Sequence, residues 1–278
     1  MKNHQHLGRR WLSVIILFAG SVVFTTQASE HTTLASERAA FKTEIVDTSF
    51  QGDGPAAMPP ADIFSLIRYP AKDGGMSAFV TPDPKDGKKH PAVIWLIGGY
   101  GGIGDDDFFW SKQPEDNDQS GSAFREAGLV MMVPSFRGEN DNPGHYEMFY
   151  GEIDDLDAAR RYLAALPYVD ADRIYLAGHS TGGTRVLLAS EMLTGFRAAF
   201  ALGGIPDLQQ RIANGSMQVA IPFNQKNPQE FRLRSPGNFI TSITSPTYIL
   251  KVKNITGVSF LYCREQPGKR ISLSMFIR

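Results

Sequence analysis

Short apolar runs recur along the chain from about residue 63 onwards. They lie at 64–69, 77–80, 92–97, 129–133, 174–177, 199–202 and 247–250, and runs of this length are typical of buried strands. Apolar residues at helical spacing over 152–166 predict a helix, and further helices are predicted near 122–127 and over 184–193. Strands that alternate with helices predict an α/β fold, with a mostly parallel sheet covered by helices on both faces.

The first 28 residues have a different pattern. A polar, basic start is followed by the uncharged run WLSVIILFAGSVVF and then by the small residues Thr26 and Ala28. This layout predicts a signal peptide cleaved near Ala28, and hence a secreted or periplasmic protein with no stable membrane span after cleavage. The run is shorter than the roughly 20 residues of a membrane span, although an uncleaved anchor or a buried helix is the alternative. The pair Arg9-Arg10 is compatible with export by either the general secretory route or the twin-arginine route.

The remaining chain divides into a leader at 29–62, one α/β domain at 63–250 and a basic tail at 251–278. The formal net charge of −1 gives no reason to expect a nucleic-acid partner. Cys263 is the one cysteine, so an internal disulfide is excluded. Neither metal-ligand spacing of Cys and His nor a phosphate-binding loop occurs, so we predict no metal and no cofactor.

The stretch GHSTGG at 178–183 carries the clearest chemical signal. It fits the pattern G-x-S-x-G, with Ser180 at its centre, directly after an apolar strand and before a predicted helix. In that context the serine sits on a sharp turn that exposes its hydroxyl, and Gly178 and Gly182 leave room for the turn. We therefore predict that Ser180 is a nucleophile and that the backbone N–H of Thr181 is an oxyanion donor.

A second glycine cluster, Gly98-Gly99-Tyr100-Gly101-Gly102, follows the predicted strand at 92–97. The loop after the third strand is where this architecture places its other oxyanion donor. The N–H of Tyr100 or of Gly99 is the candidate. The alternative is that these glycines only form a tight turn.

Four blocks in order resemble a known family: IGGYGG, VPSFRGEN, EIDDLDAARRYLAALPYVDADRIYLAGHSTGG and RSPGNFITSITSPTYIL. From about residue 90 to 250 the chain resembles the α/β-hydrolase catalytic domain of the prolyl oligopeptidase family of serine peptidases. The resemblance implies acyl transfer to Ser180, with a peptide, ester or amide as substrate. It also implies that Arg137 forms a structural ion pair, with Glu152, Asp154 or Asp155 as its partner.

The sequence departs from this fold's pattern after the serine. The triad order is Ser, then Asp or Glu, then His, yet no histidine follows Ser180, and Asp207 is the only aspartate beyond it. His179 is adjacent to the serine and is interpreted as a packing residue. His145 lies in a loop that could border the site, where a substrate or structural contact is the favoured role. The triad acid and histidine are therefore not found in this chain.

Composition changes where the resemblance stops. Residues 251–278 hold six basic residues and one acidic residue, and a frameshift near residue 249 is the favoured explanation. A natural extension and a basic binding tail are the alternatives. The last strand and helix elements of the fold would then be missing. The strand at 247–250 would be an unprotected edge and the protein poorly soluble, unless the run 255–262 pairs with that edge.

Two functional hypotheses follow: a serine hydrolase of impaired activity, or a catalytically inactive binding protein on the same fold. An anchored structural protein is a third. Three features stay open at this level. Phe108-Phe109-Trp110 could line a pocket or pack, Asp105–Asp107 is expected to be solvated, and 223–231 could form a lid or a plain loop.

Overall fold

One eight-stranded sheet organises the protein, in the strand order β1-β2-β4-β3-β5-β6-β7-β8. The computed structural model describes residues 32–114, 117–215, 219–253 and 258–264. The predicted signal peptide lies outside these residues. The strands are β1 Ser65–Ala71, β2 Gly74–Val80, β3 His90–Leu96, β4 Val130–Pro134, β5 Val169–His179, β6 Ala198–Leu202, β7 Thr247–Lys253 and β8 Val258–Arg264.

The five strands in the middle, from β4 to β7 in sheet order, pair in parallel. β1, β2 and β8 add antiparallel pairs at the two sides. The helices are α1 Leu34–Ala40, α2 Ser122–Glu126, α3 Glu152–Ala164, α4 Thr181–Met192, α5 Leu208–Ala213 and α6 Pro228–Arg232. The predicted α/β architecture is confirmed, and every predicted strand is present with its ends shifted by a few residues.

The central strands are buried on both faces, which explains their continuous apolar runs. In β3, Ile94 and Leu96 point into a core formed with α3 and α4. The alternate residues Val93 and Trp95 point into a second core on the opposite face. Trp95 lies 5.7 Å from Phe124 of α2, measured between ring centroids. Helices therefore cover both faces of the sheet.

The predicted leader packs on the domain from Thr32 onwards. Thr33 caps α1 by accepting a hydrogen bond from the Ser36 N–H at 3.1 Å. The guanidinium of Arg38 is buried and donates to the carbonyl oxygens of Phe149 at 2.7 Å and Leu233 at 2.8 Å. A long buried side chain thus fixes α1 to two distant loops. The periodic pattern of the sequence did not reveal this helix, because it has only seven residues.

The strand β7 is not an unpaired edge. β8 pairs with it in antiparallel fashion from Thr247↔Arg264 to Lys253↔Val258. The tail thus supplies an additional strand that the sequence analysis did not predict. Poor solubility was predicted only if this edge stayed unpaired. That condition does not apply, because the backbone groups of β7 on this side are paired.

Candidate active site

Ser180 lies on a strained turn between β5 and α4. Its backbone has φ 54° and ψ −117°, a conformation that costs a residue other than glycine about 1–3 kcal/mol. The Ser180 N–H donates to the carbonyl of Leu202 at 2.7 Å, and the Ser180 carbonyl accepts from the Thr184 N–H at 3.1 Å. Neighbouring strand and helix therefore hold the serine in this geometry, as the motif predicts.

Neither Gly178 nor Gly182, which flank Ser180, has room for a side chain. A Cβ atom on Gly182 would collide with the carbonyl oxygen of Leu96, and one on Gly178 would lie 2.7 Å from the carbonyl oxygen of Gly182. Such contacts are shorter than any that real Cβ atoms adopt, so the start of α4 can approach β3 only without side chains at these positions. The close approach brings Ser180 next to the loop that follows β3.

The loop 98–104 faces the serine. A Cβ atom on Gly98 would lie 3.0 Å from Cβ of Ser180, and Gly99 has φ +93°. The hydroxyl of Thr181 donates to the carbonyl of Gly99 at 2.6 Å. Because Thr181 is the first residue of α4, its own N–H has no acceptor within the helix. The structure thus brings Ser180 and Thr181 next to Gly98 and Gly99, and Tyr100 follows in the same loop with its ring 6.3 Å from that of Tyr146, measured between centroids.

Two residues missed by sequence reasoning fix this loop. Asp53 donates its N–H to the carbonyl of Gly101 at 2.6 Å and accepts from the Gly104 N–H at 2.8 Å. The side-chain oxygen of Asn140 accepts from the Ile103 N–H at 2.8 Å. Asn140 lies in the block VPSFRGEN, which carried the resemblance without showing this role. Asp53 comes from the predicted leader, where no pattern pointed to the site.

Arg137 forms the ion pair that the resemblance implies, and its partner is Asp155. Both carboxylate oxygens of Asp155 accept from the guanidinium at 2.8 Å, and one also accepts from the Arg137 N–H at 3.1 Å. Glu147, not predicted, adds a second bond at 2.8 Å. Burial by itself would lower the pKa of Arg137, but the bonds and charges of Asp155 and Glu147 raise it above its ordinary value. The pair anchors the turn that carries Asn140.

A second buried ion pair lies on the same turn. Glu139 accepts from the guanidinium of Arg185 at 2.9 Å, and both side chains are almost completely buried. Burial raises the pKa of Glu139, while the charge of Arg185 opposes the rise. Since Arg185 belongs to α4, this pair connects the helix that follows Ser180 to the turn that holds the loop 98–104.

None of the described histidines is placed as a base for Ser180. His179 precedes the serine at the end of β5, and its Nδ1 is buried without a hydrogen-bond partner. His145 is exposed, and His90 contacts Asp86 at 3.0 Å. Asp207 caps α5 by accepting from the Gln210 N–H at 2.9 Å.

A cavity of about 580 Å³ opens beside Ser180, a size typical of small-ligand sites. Its walls come from the end of β5, the segment after β6, α5 and Leu250 of β7. The residues that line it are His179, Ser180, Leu202, Gly203, Gly204, Ile205, Pro206, Asp207, Gln210, Arg211, Asn214 and Leu250. The part of the chain that the structure describes holds no cluster of three or more His, Cys, Asp or Glu that could bind a metal ion.

The aromatic residues at 108–110 and the segment 223–231, whose roles the sequence left open, pack against the rest of the domain. Phe109 is buried in the second core, 5.8 Å from Phe79 between ring centroids, and Trp110 contacts the same ring edge-on at 5.3 Å. Phe223 and Phe231 are buried in the main core, and Ile45 forms an isolated bridge with Phe223. The segment 223–231 is therefore docked on the domain rather than free as a lid.

The sheet and the serine turn together are those of the α/β-hydrolase fold, with Ser180 directly after the central parallel strand. Residues 117–252 match the model of the prolyl oligopeptidase family. This match covers just under half of the chain, including the serine turn, and over this part the chain is similar to the prolyl oligopeptidase family.

Three further proteins are similar to this chain. The uncharacterized peptidase YtmA of Bacillus subtilis is 27% identical over 158 residues, which cover 53% of this chain and 61% of that protein. A puromycin-hydrolyzing peptidase of Mycobacterium tuberculosis aligns with a TM-score of 0.54 at 19% identity, over 68% of this chain and 30% of its own. Prolyl oligopeptidase B of Galerina marginata gives a TM-score of 0.52 at 24% identity, over 67% and 28%. The chain thus spans less than two thirds of each relative, and the structural likenesses establish the fold.

Proposed function

We propose that this domain is a serine hydrolase that cleaves a peptide, ester or amide bond through an acyl intermediate on Ser180. The observation that carries the proposal is the backbone of Ser180, held at φ 54° by its neighbours and facing the loop 98–104. A strained conformation persists only where the surrounding structure imposes it, and such strain is concentrated at functional sites.

The chemistry proceeds in two steps. Oγ of Ser180 attacks the substrate carbonyl carbon and releases its proton to solvent water, and the leaving nitrogen or oxygen takes up a proton from solvent as its bond to that carbon breaks. Water then attacks the acyl ester and releases the acid. The N–H groups of Thr181 and of the Gly99–Tyr100 segment would stabilise the negative oxygen formed in each step.

We infer that the chain as printed performs this reaction slowly. Residues 181–278 contain no histidine, and the serine hydroxyl is a weak nucleophile without a base. An oxyanion hole alone retains roughly 10³–10⁴-fold acceleration over water. The alternative proposal is an inactive α/β-hydrolase fold that binds ligands, and the cavity of about 580 Å³ beside Ser180 is the observation that favours it.

Labelling with a fluorophosphonate probe tests the proposal. We expect slow covalent labelling of the full chain, with loss of the label in Ser180→Ala. Ser190→Ala is the matched control, since Ser190 lies on the same helix and its buried hydroxyl donates to the carbonyl of Val186 at 2.8 Å. Labelling that survives Ser180→Ala would remove Ser180 as the nucleophile. Complete absence of labelling would favour the binding protein.

The substrate class and the location are further proposals. The relatives described above are named as peptidases, which supports a peptide as substrate. Export through the signal peptide at 1–28 is supported by the sequence pattern alone. No helix within the described ranges is long and apolar enough to cross a membrane. Fractionation of cells with N-terminal sequencing tests export, and a product that begins at Met1 in the cytoplasm would overturn it.

A further inference from the structure

The cavity beside Ser180 has two unlike walls. Leu202, Ile205, Pro206 and Leu250 form an apolar wall. Helix α5 forms the other wall and presents polar side chains to the same space. An apolar wall with a few placed polar groups is the usual composition of a site that binds a small ligand in one orientation.

The polar wall is one face of α5. Gln210 and Arg211 of α5 line the cavity together with the two residues that cap this helix, Asp207 and Asn214. The opposite side is fixed to the domain. Leu208 is 1% exposed, and its N–H donates to the hydroxyl of Ser235 at 2.9 Å. The direction of the polar face is therefore set by the fold.

Arg211 brings the positive charge to this wall. The carboxylate of Asp207 already accepts the Gln210 N–H as the helix cap. Burial raises the pKa of the Tyr100 phenol, and the charges of Arg185 and Arg211 act against this rise. Arg211 and Ser180 line the same cavity, so the charge of Arg211 lies beside the space that a substrate at the serine would occupy. A guanidinium near the reacting serine favours an anionic group on the substrate.

We propose that Arg211 is a specificity residue that binds a carboxylate of the substrate, so that the cavity selects short peptides with a carboxylate close to the scissile bond. The inference rests on the proposed function of Ser180. The planar guanidinium matches a carboxylate with two parallel hydrogen bonds. The side-chain amides of Gln210 and Asn214 add neutral donors along the same face. The carboxylate comes either from an acidic side chain or from the C-terminus of the peptide.

Binding by matched peptides tests this inference without requiring turnover. The first pair is acetyl-Ala-Glu-amide and acetyl-Ala-Gln-amide, which differ only in a side-chain carboxylate. The second pair is acetyl-Gln-Ala with a free C-terminus and the same peptide as its amide. Calorimetric titration of the full chain gives Kd for each. We expect the acid of at least one pair to bind about tenfold more tightly than its neutral partner. The pair that shows the difference identifies the source of the carboxylate.

Two variants decide whether Arg211 is responsible. Arg211→Gln removes the charge and keeps a polar side chain, so the difference within the pair should disappear. Arg197→Gln is the control, because Arg197 is an exposed arginine that lines a separate cavity, at the start of β6. Since Arg211 is exposed at the cavity, raising the salt concentration should also weaken the preference.

The outcomes separate this inference from the proposed function. Equal binding of acid and neutral peptides, no binding of any peptide, or a preference unchanged by Arg211→Gln overturns the role of Arg211. Ser180→Ala should leave the preference intact, because Ser180 is not needed for binding. If the preference holds but Ser180 takes up no fluorophosphonate, the catalytic proposal fails and the carboxylate site stands.

Discussion

The buried pair of Arg137 and Asp155 gives the sharpest stability prediction. Replacing Asp155 by Asn removes the negative charge while the guanidinium stays buried. Asp155 is fully buried and accepts three hydrogen bonds from Arg137, two of them from the guanidinium at 2.8 Å. The Asn side chain would also turn an NH₂ group towards a cation. Breaking one partner of such a pair costs about 3–5 kcal/mol.

The same helix supplies a matched control. Asp157 also accepts from arginines, Arg160 at 2.8 Å and Arg161, but its side chain is 21% exposed. Exposed pairs contribute at most about 1 kcal/mol, because water screens the charges. Asp157→Asn should therefore change the free energy of unfolding by less than about 1 kcal/mol. The two substitutions differ mainly in burial.

Urea unfolding followed by circular dichroism measures both variants. With a slope of about 2–3 kcal/mol per molar urea, Asp155→Asn should lower the midpoint by more than about 1 M, and Asp157→Asn by a few tenths. Glu147 bonds the same guanidinium at 2.8 Å, so the loss belongs at the lower end of the range. Equal, small shifts for the two variants would refute the argument that burial makes the Arg137–Asp155 pair essential.

Two further predictions concern residues away from the nucleophile. Glu191 is 4% exposed, neither carboxylate oxygen has a hydrogen-bond partner, and burial raises its pKa to about 9, with the charge of Arg38 opposing. Because the folded pKa lies above the unfolded one, the stability that Glu191 contributes is fully present below about pH 4.5 and is lost as the pH rises towards about 9. Glu191→Gln should remove this dependence, which amounts to at most about 1.4 kcal/mol of unfolding free energy per pH unit. Urea unfolding of both proteins from about pH 5 to 9 measures the difference. Profiles that run parallel would contradict the prediction. Phe109→Ala should cost about 3–5 kcal/mol of stability, yet leave the labelling rate of Ser180 in the folded protein unchanged, since Phe109 packs in the second core; a changed rate would show that Phe109 borders the site.

The frameshift near residue 249 stays a prediction that nucleotide sequencing decides. It was motivated by the basic composition of 251–278. In the structure, however, this tail forms strand β8, and the backbone of β8 pairs with the edge of β7. A second reading frame that runs on into an aspartate and then a histidine would support it, and frames that close without a histidine would exclude it.

The sequence by itself determined the sheet and the serine. Central strands such as β3 are apolar along their buried part, from Ala92 to Leu96, because both faces are covered, and this leaves a continuous signal in the chain. The elbow is equally visible, since Gly178 and Gly182 stand where any side chain would collide with backbone. The absence of a histidine after Ser180 required only counting.

Only the tertiary structure decided which residues work together around that serine. Three carboxylates were candidate partners of Arg137. In the structure its guanidinium donates to Asp155, and also to Glu147, which was not a candidate. Asp53 holds the oxyanion loop through contacts 48 to 51 residues away, between Asp53 and Gly101 or Gly104. Such partners share no local period, because their contacts depend on how distant segments meet. The sequence pattern records burial and backbone geometry, whereas the pairing of polar groups is set by the packed fold.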